Sequence, residues 1–291
     1  MKVVRASETD SRVFYQYLVS SIAPRPIALV STINLNNEVN LSPFSFFNLI
    51  GNNPPLLFFA PNNRNKDNSE KDTLQNLKEV PEVVVNLVDE EMVHQVSLAS
   101  APYDRGVNEF EKAGFTALPA ERVKPPRVGE SPVQLECEVQ EIISIGNTHL
   151  VVAEVLIAHV SERILDTKGH IDMLKTRWVG RAGGNWYSKF SKENLFEIPR
   201  PVTGIGVDAL PLSVRRSAIL TGNDLGILGS APQLPSEEAI KQYYFNEIVV
   251  SIRNQTQGVC ENFNELLHIR VKELINAGKI EEALLAAFQS H

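Results

Sequence analysis

Short runs of β-branched and aromatic residues alternate with proline, glycine and asparagine over residues 1–199, a pattern typical of strands separated by turns. The Gly146-Asn147 dipeptide between two alternating runs predicts a hairpin. The predicted strands are 26–32, 39–47, 56–60, 83–88, 134–145 and 150–160. Because most of these strands are joined by hairpins or short helices, the pattern favours a small antiparallel barrel over a parallel α/β sheet.

Helical patterns occur in two parts of the chain. Short helices are predicted between the strands, at 72–78, 90–98 and 108–113. After a region rich in glycine and proline, apolar residues recur at helical spacing, starting at Ser236, which is a typical helix cap. The helices predicted there are 236–252, 263–275 and 280–288. We therefore predict a barrel domain over 1–200 and a helical C-terminal extension over 201–291.

The composition argues against several classes of protein. Lys and Arg number 28 against 35 Asp and Glu, and the net charge of −7 disfavours a nucleic-acid binder, which presents a basic face to phosphates. A hydrophobic content of 43% is ordinary for a globular chain, and no apolar run approaches the roughly 18 residues of a membrane span. The charged start, Met1 to Asp10, lacks the apolar segment of a secretory signal, so we expect a cytoplasmic location.

Familiar catalytic and metal-binding motifs are missing or out of context. The histidines never fall four residues apart, the two cysteines are distant in sequence, and no GxSxG sequence is present. Cys137 alternates with Leu135 and Val139, which predicts a buried structural thiol. Residues 204–209 match the dinucleotide fingerprint GxGxxA, but Pro211 follows and no βαβ unit surrounds them, so we interpret them as a linker with turns.

Residues 40–48 and 64–73 carry the most informative chemistry. The first stretch mixes small hydroxyls, amides and aromatics around one proline, which suits the polar edge and the apolar face of a flat heterocycle. The second places Arg64 and Lys71 beside Thr73 at a predicted helix start, where cations, a hydroxyl and free N–H groups suit a phosphate. An ordinary strand and a solvated charged loop are the simpler alternative, which stays open on residue types alone.

A set of motifs follows in order along residues 10–200. The first four are Arg25-Pro-Ile-Ala-Leu-Val-Ser-Thr32, Asn40-x-Ser-Pro-Phe-Ser-Phe-Phe-Asn48, Asn53-Pro-Pro-Leu56 and Lys71-Asp-Thr-Leu-x-Asn76. The others are Val123-Lys-Pro-Pro-Arg127, Glu130-Ser-Pro-Val133, Leu135-Glu-Cys137 and Arg181-x-Gly-Gly-x-x-Tyr187. In this order they resemble the flavin reductase-like, FMN-binding split-barrel family, which includes flavoredoxin-like flavoproteins.

The resemblance implies a mainly β fold, a six-stranded antiparallel split β-barrel of Greek-key topology with short helices and a helical C-terminal extension. It also implies a homodimer with one FMN per subunit near the interface. By position, the residues implied around the isoalloxazine ring and ribityl chain are Ser31, Thr32, Asn40, Ser42, Pro43, Phe44, Ser45 and Asn48. Those implied near the phosphate are Arg64, Lys71, Asp72 and Thr73, and Arg181 is expected to approach the flavin from its own or the neighbouring subunit.

The function implied by the resemblance is an NAD(P)H:flavin oxidoreductase, with NADH or NADPH as the electron donor. Hydride passes to the flavin when the two rings stack, so positioning is sufficient, and we nominate neither a catalytic side chain nor a metal ligand. Two alternatives stay open: a flavoredoxin-like FMN electron-transfer protein without a nicotinamide site, and a redox-inactive module that binds flavin or heme. We interpret the extension as a helical buttress, with a lid or an added dimer contact as alternatives.

Overall fold

A computed structural model describes residues 1–64, 66–257 and 259–290. The chain divides into two compact units, Met1–Phe196 and Glu197–His291. The strands of the first unit are β1 (Arg25–Pro26), β2 (Ala28–Ile33), β3 (Val39–Phe44), β4 (Phe47–Leu49), β5 (Leu56–Phe59), β6 (Glu82–Leu87), β7 (Ala117–Leu118), β8 (Arg127–Val128), β9 (Val133–Ile145), β10 (Thr148–Val160), β11 (Val179–Arg181) and β12 (Tyr187–Lys189). Its helices are α1 (Ser11–Ser21), α2 (Asp72–Glu79), α3 (Val93–Ala99) and α4 (Glu109–Ala113).

The main sheet is antiparallel and has the strand order β3-β2-β6-β9-β10-β5-β4. Its longest hairpin, β9–β10, turns at Gly146, where φ is 60°, as the sequence predicts. The sheet curls on itself, because Phe44 from one edge strand and Phe47 from the other enter the same core cluster. The Phe44 and Phe59 ring centroids are 5.5 Å apart in that cluster. The predicted fold class, a mainly β antiparallel split barrel, is confirmed. The main sheet of the described residues has seven strands instead of the predicted six, because the strand predicted over 39–47 is divided into β3 and β4.

The two faces of β2 serve two cores, because successive strand side chains point to opposite sides. Ala28 and Val30 pack into the cluster inside the curled sheet. Leu29 packs with Leu41 of β3 into a second cluster that α3 and α4 cover from outside. Cys137 is buried in the inner cluster as predicted, and burial raises the pKa of its thiol to about 12. The thiol is therefore protonated at neutral pH and structural.

Some predicted elements of the first unit are divided differently in the structure. The single strand expected over 26–32 is split into β1, which pairs with β11, and β2, which pairs with β3 and β6. The strand expected over 39–47 is likewise wrong as one element, since β3 ends at Phe44 and β4 begins at Phe47. Pro43 is tolerated in β3 because the strand lies at the sheet edge. Helix α1, which begins after Asp10 as N-cap, was not predicted.

The second unit is helical and has its own hydrophobic core. Its helices are α5 (Leu212–Arg215), α6 (Gly222–Gly229), α7 (Glu237–Tyr243), α8 (Glu247–Gln255), α9 (Cys260–Asn276) and α10 (Ile280–Ala287). The prediction of a single helix over 236–252 is wrong, because the helix is interrupted between α7 and α8. Asn246 caps α8 by accepting from the Ile248 N–H. Among the described residues, no helix combines the length and apolar character needed to cross a membrane.

Candidate functional site

β3 carries candidate residues along one edge of the main sheet. The side chains of Asn40, Ser42 and Phe44 share one face of β3, because successive side chains of a strand point to opposite sides. The backbone N–H of Leu41 donates to Glu109 Oε2 at 2.9 Å. Burial raises the pKa of Glu109, and the carboxylate closes the outer edge of the strand. The register of β3 is thus fixed from both sides, by β2 and by α4.

The start of α2 places a cation beside this strand. Lys71 occupies the N-cap position, and because an ammonium group cannot accept a hydrogen bond, its side chain leaves the first N–H groups of the helix for another acceptor. Lys71 Nζ lies 5.0 Å from the centroid of the Phe44 ring. Burial lowers the pKa of Lys71, and the nearby Arg64 lowers it further. Arg64 itself is 2.6 Å from Asp72 Oδ2, so its charge is balanced locally.

Thr32, Asn40 and Thr73 form a buried polar network together with Asn76, which was not predicted as a site residue. Asn40 Nδ2 donates to Thr73 Oγ1 at 2.9 Å, and Asn76 Nδ2 donates to Thr32 Oγ1 at 3.2 Å. These bonds join α2 to β2 and β3, so in this structure the four side chains fix the helix start against the sheet. Their direct contact with a bound ligand stays a prediction.

Two predicted residues lie away from the face that holds Ser42. The Ser31 side chain points to the opposite face of β2 from that of Thr32. Its hydroxyl donates to the Pro126 carbonyl at 2.5 Å. Pro43 likewise alternates with Ser42 along β3. The structure therefore does not bring Ser31 and Pro43 together with the side chains beside Lys71.

Ser45 and Arg181 are linked through a residue that the sequence prediction of the site left out. Arg25 Nε donates to Ser45 Oγ at 3.4 Å, and Arg25 Nη2 donates to the Ala182 carbonyl at 3.3 Å, next to Arg181. The Arg181 guanidinium stacks 4.6 Å from the Tyr187 ring centroid. Arg25 was visible in the sequence as the charged residue that opens the first motif, immediately before a buried strand.

Asn48 is placed on β4, the other edge strand of the main sheet. Its side chain is exposed, and Oδ1 accepts from the Leu49 N–H at 2.8 Å. Together with Phe47, Trp178 and Phe190 it lines an apolar groove of about 320 Å³, which Arg25 also borders. A volume of this size accommodates a small planar ligand or an apolar side chain.

Comparison with known proteins gives consistent results. Residues 20–174 match the family model described as a flavin reductase like domain. An uncharacterized protein of Aquifex aeolicus (strain VF5) is 38% identical over 182 residues, which are 62% of this chain and 92% of that protein.

Two solved structures are similar over most of the chain. Nitrilotriacetate monooxygenase component B from Bacillus cereus has a TM-score of 0.64 and 28% identity, covering 68% of this chain and 98% of its own. The 2-nitrobenzoate 2-nitroreductase NbaA of Pseudomonas fluorescens has a TM-score of 0.62 and 28% identity, covering 70% of this chain and 100% of its own. The family match ends before the helical unit, which begins at Glu197.

Proposed function

The chain belongs to the flavin reductase-like family, and from that premise we propose that it binds FMN and acts as an NAD(P)H:flavin oxidoreductase. The FMN phosphate would bind Lys71 and the N-terminus of α2, and the ring would lie along the face of Ser42 and Phe44 towards Ser45. When bound, FMN supplies a ring system that accepts a hydride and passes electrons on. The protein holds and orients the cofactor, and Arg181 adds a cation on the hairpin side of Ser45.

The observation that carries this proposal is the placement of Lys71. Lys71 is half-buried and stands at the N-cap of α2, and its ammonium group is 5.0 Å from the centroid of the Phe44 ring. Anions are stabilised at helix N-termini, and a lysine point charge is a common partner of phosphate. The same few residues therefore place a phosphate site beside the face of β3 that carries the partly exposed Ser42, an arrangement that suits a flavin mononucleotide.

Anaerobic mixing tests the reaction. The purified protein is loaded with FMN, freed of unbound flavin and mixed with NADH or NADPH while the flavin absorption band is recorded. We expect rapid bleaching with at least one of the two nucleotides. Reduction by dithionite but by neither nucleotide would indicate an electron-transfer flavoprotein instead of a reductase. A protein that retains no FMN would refute the proposed cofactor and leave a redox-inactive or heme-binding module.

We also propose that the protein is a homodimer, with α1 and the β11–β12 hairpin at the interface. Within α1, which the structure describes in full, Val19 is the one buried residue, while Leu18 is 44% exposed and Ile22, which follows the helix, is 65% exposed. Trp186 in the hairpin is 78% exposed. Exposed apolar groups grouped in this way are typical of protein interfaces.

Light scattering on the FMN-loaded protein checks the dimer. We expect twice the mass of one chain for the wild type, and a shift towards one chain for Leu18→Glu combined with Ile22→Glu, because two buried charges would oppose association. Leu35→Glu is the matched control, since Leu35 is 70% exposed in the turn between β2 and β3. A wild type with the mass of one chain would contradict the proposal.

A further inference from the structure

Arg25 satisfies the end of α1. It is 8% exposed, and its Nη1 donates to the carbonyls of Val19 at 2.6 Å and Ile22 at 2.7 Å. The last carbonyl groups of a helix have no partner within the helix, so a side chain that binds them fixes where the helix ends. α1 is therefore held by a residue that lies in β1, outside the helix.

The same guanidinium contacts two further segments. Nη2 donates to the Ala182 carbonyl in the β11–β12 turn, and Nε donates to Ser45 Oγ. The guanidinium carbon also lies 5.9 Å from the centroid of the Phe46 ring. Burial lowers the pKa of Arg25, but a guanidinium stays charged, and its fixed fork can donate in several directions at once. One side chain thus joins α1, the hairpin and the segment between β3 and β4.

Two glycines allow these segments to approach closely. A Cβ on Gly183 would lie 3.1 Å from Ser20 Cα, and a Cβ on Gly180 would lie 2.7 Å from Pro24 Cβ. The β11–β12 hairpin therefore packs directly against Ser20 at the end of α1 and against Pro24, and a side chain at either glycine would clash. Arg25 thus connects Ser45 to two segments that are packed against each other.

We propose that Arg25 is a positioning residue that couples occupancy of the flavin site to the order of α1 and the β11–β12 hairpin. The inference rests on the proposed function, because Ser45 is the contact between Arg25 and the ring-binding face. Coupling of this kind is reciprocal: if FMN orders α1 through Arg25, then an ordered α1 increases the affinity for FMN by the same factor. Arg25 is not assigned a contact with the substrate or the reacting atoms.

The test compares Arg25→Lys with Ser45→Ala and the double variant. A lysine keeps the charge but cannot donate to Val19, Ala182 and Ser45 together. We expect Arg25→Lys to lower FMN affinity by about tenfold, a coupling typical of residues in contact. Because Arg25 acts through Ser45, the double variant should bind FMN no more weakly than Ser45→Ala alone. Arg12→Lys, an exposed change on α1, is the control and should leave the affinity unchanged.

Hydrogen exchange distinguishes positioning from simple stabilisation. In the wild type, saturating FMN should slow amide exchange in α1 and in residues 182–186, and in Arg25→Lys this slowing should be lost even at saturation. Equal slowing by FMN in both proteins, or multiplicative losses of affinity in the double variant, would overturn the inference while leaving FMN binding intact. A wild type that takes up no FMN would instead overturn the proposed function, and this inference with it.

Discussion

Lys71→Ala is expected to lower the affinity for FMN by roughly 10- to 150-fold, which corresponds to the loss of about 1.5–3 kcal/mol for a hydrogen bond to a charged group. The change removes the cation at the N-cap of α2 and its contact with the Phe44 ring. The buried network of Asn40, Thr73 and Asn76 does not include Lys71, so the helix should keep its place against the sheet. Fluorescence titration with FMN measures the effect.

Lys78→Ala is the matched control for this variant. Lys78 lies in the last turn of the same helix, and its half-exposed side chain pairs with Glu70 at 2.6 Å, so its charge is already balanced by a carboxylate. We expect its FMN affinity to equal that of the wild type. Equal FMN affinities for Lys71→Ala and the wild type would show that the phosphate binds elsewhere. Equal losses of affinity in Lys71→Ala and Lys78→Ala would show that the effect comes from the net charge of the protein.

The local sequence predicts the elements whose pattern is strong and self-contained. The β9–β10 hairpin follows from two alternating runs around Gly146, and α9 follows from its apolar periodicity. α1 is different, because its apolar side chains are mostly exposed and the pattern of a buried stripe is weak. Its one clear signal is Asp10, whose carboxylate accepts from the N–H groups of Arg12 and Val13.

Long-range pairing explains most of what the sequence could not reveal. β1 pairs with β11 through Arg25 and Arg181, which are far apart in the chain, and both strands are too short to show alternation. The candidate site has the same limitation. Residue types at 40–48 and 71–73 predict a flavin site, but only the three-dimensional arrangement shows that Asn40 and Thr73 bind each other and that Glu109 closes the edge of β3.

Glu136→Ala is expected to destabilise the first unit by about 3–5 kcal/mol, because truncation removes a charged acceptor from three donors and each hydrogen bond to a charged group contributes about 1.5–3 kcal/mol. Glu136 is fully buried on β9 and accepts from the N–H groups of Glu121 at 2.9 Å and Arg122 at 2.7 Å. His159 Nε2 lies 2.7 Å from the same carboxylate. Truncation would leave all three donors without this acceptor, and urea unfolding followed by circular dichroism measures the loss.

The pH dependence of stability gives a second, independent check on Glu136. Burial alone would raise the pKa of this carboxyl, but the Glu121 and Arg122 N–H groups and His159 together hold it below its ordinary value of 4.5. A lowered pKa contributes stability that is present above 4.5 and is lost as the pH falls through the folded-state value. The wild type should therefore lose more stability than Glu136→Gln as the pH is lowered below 4.5. Glu138→Ala, an exposed change two residues along the same strand, is the control and should lose stability with pH as the wild type does. If Glu138→Ala and Glu136→Ala lowered the free energy of unfolding by similar amounts at neutral pH, burial and the three donors would not be what makes Glu136 important.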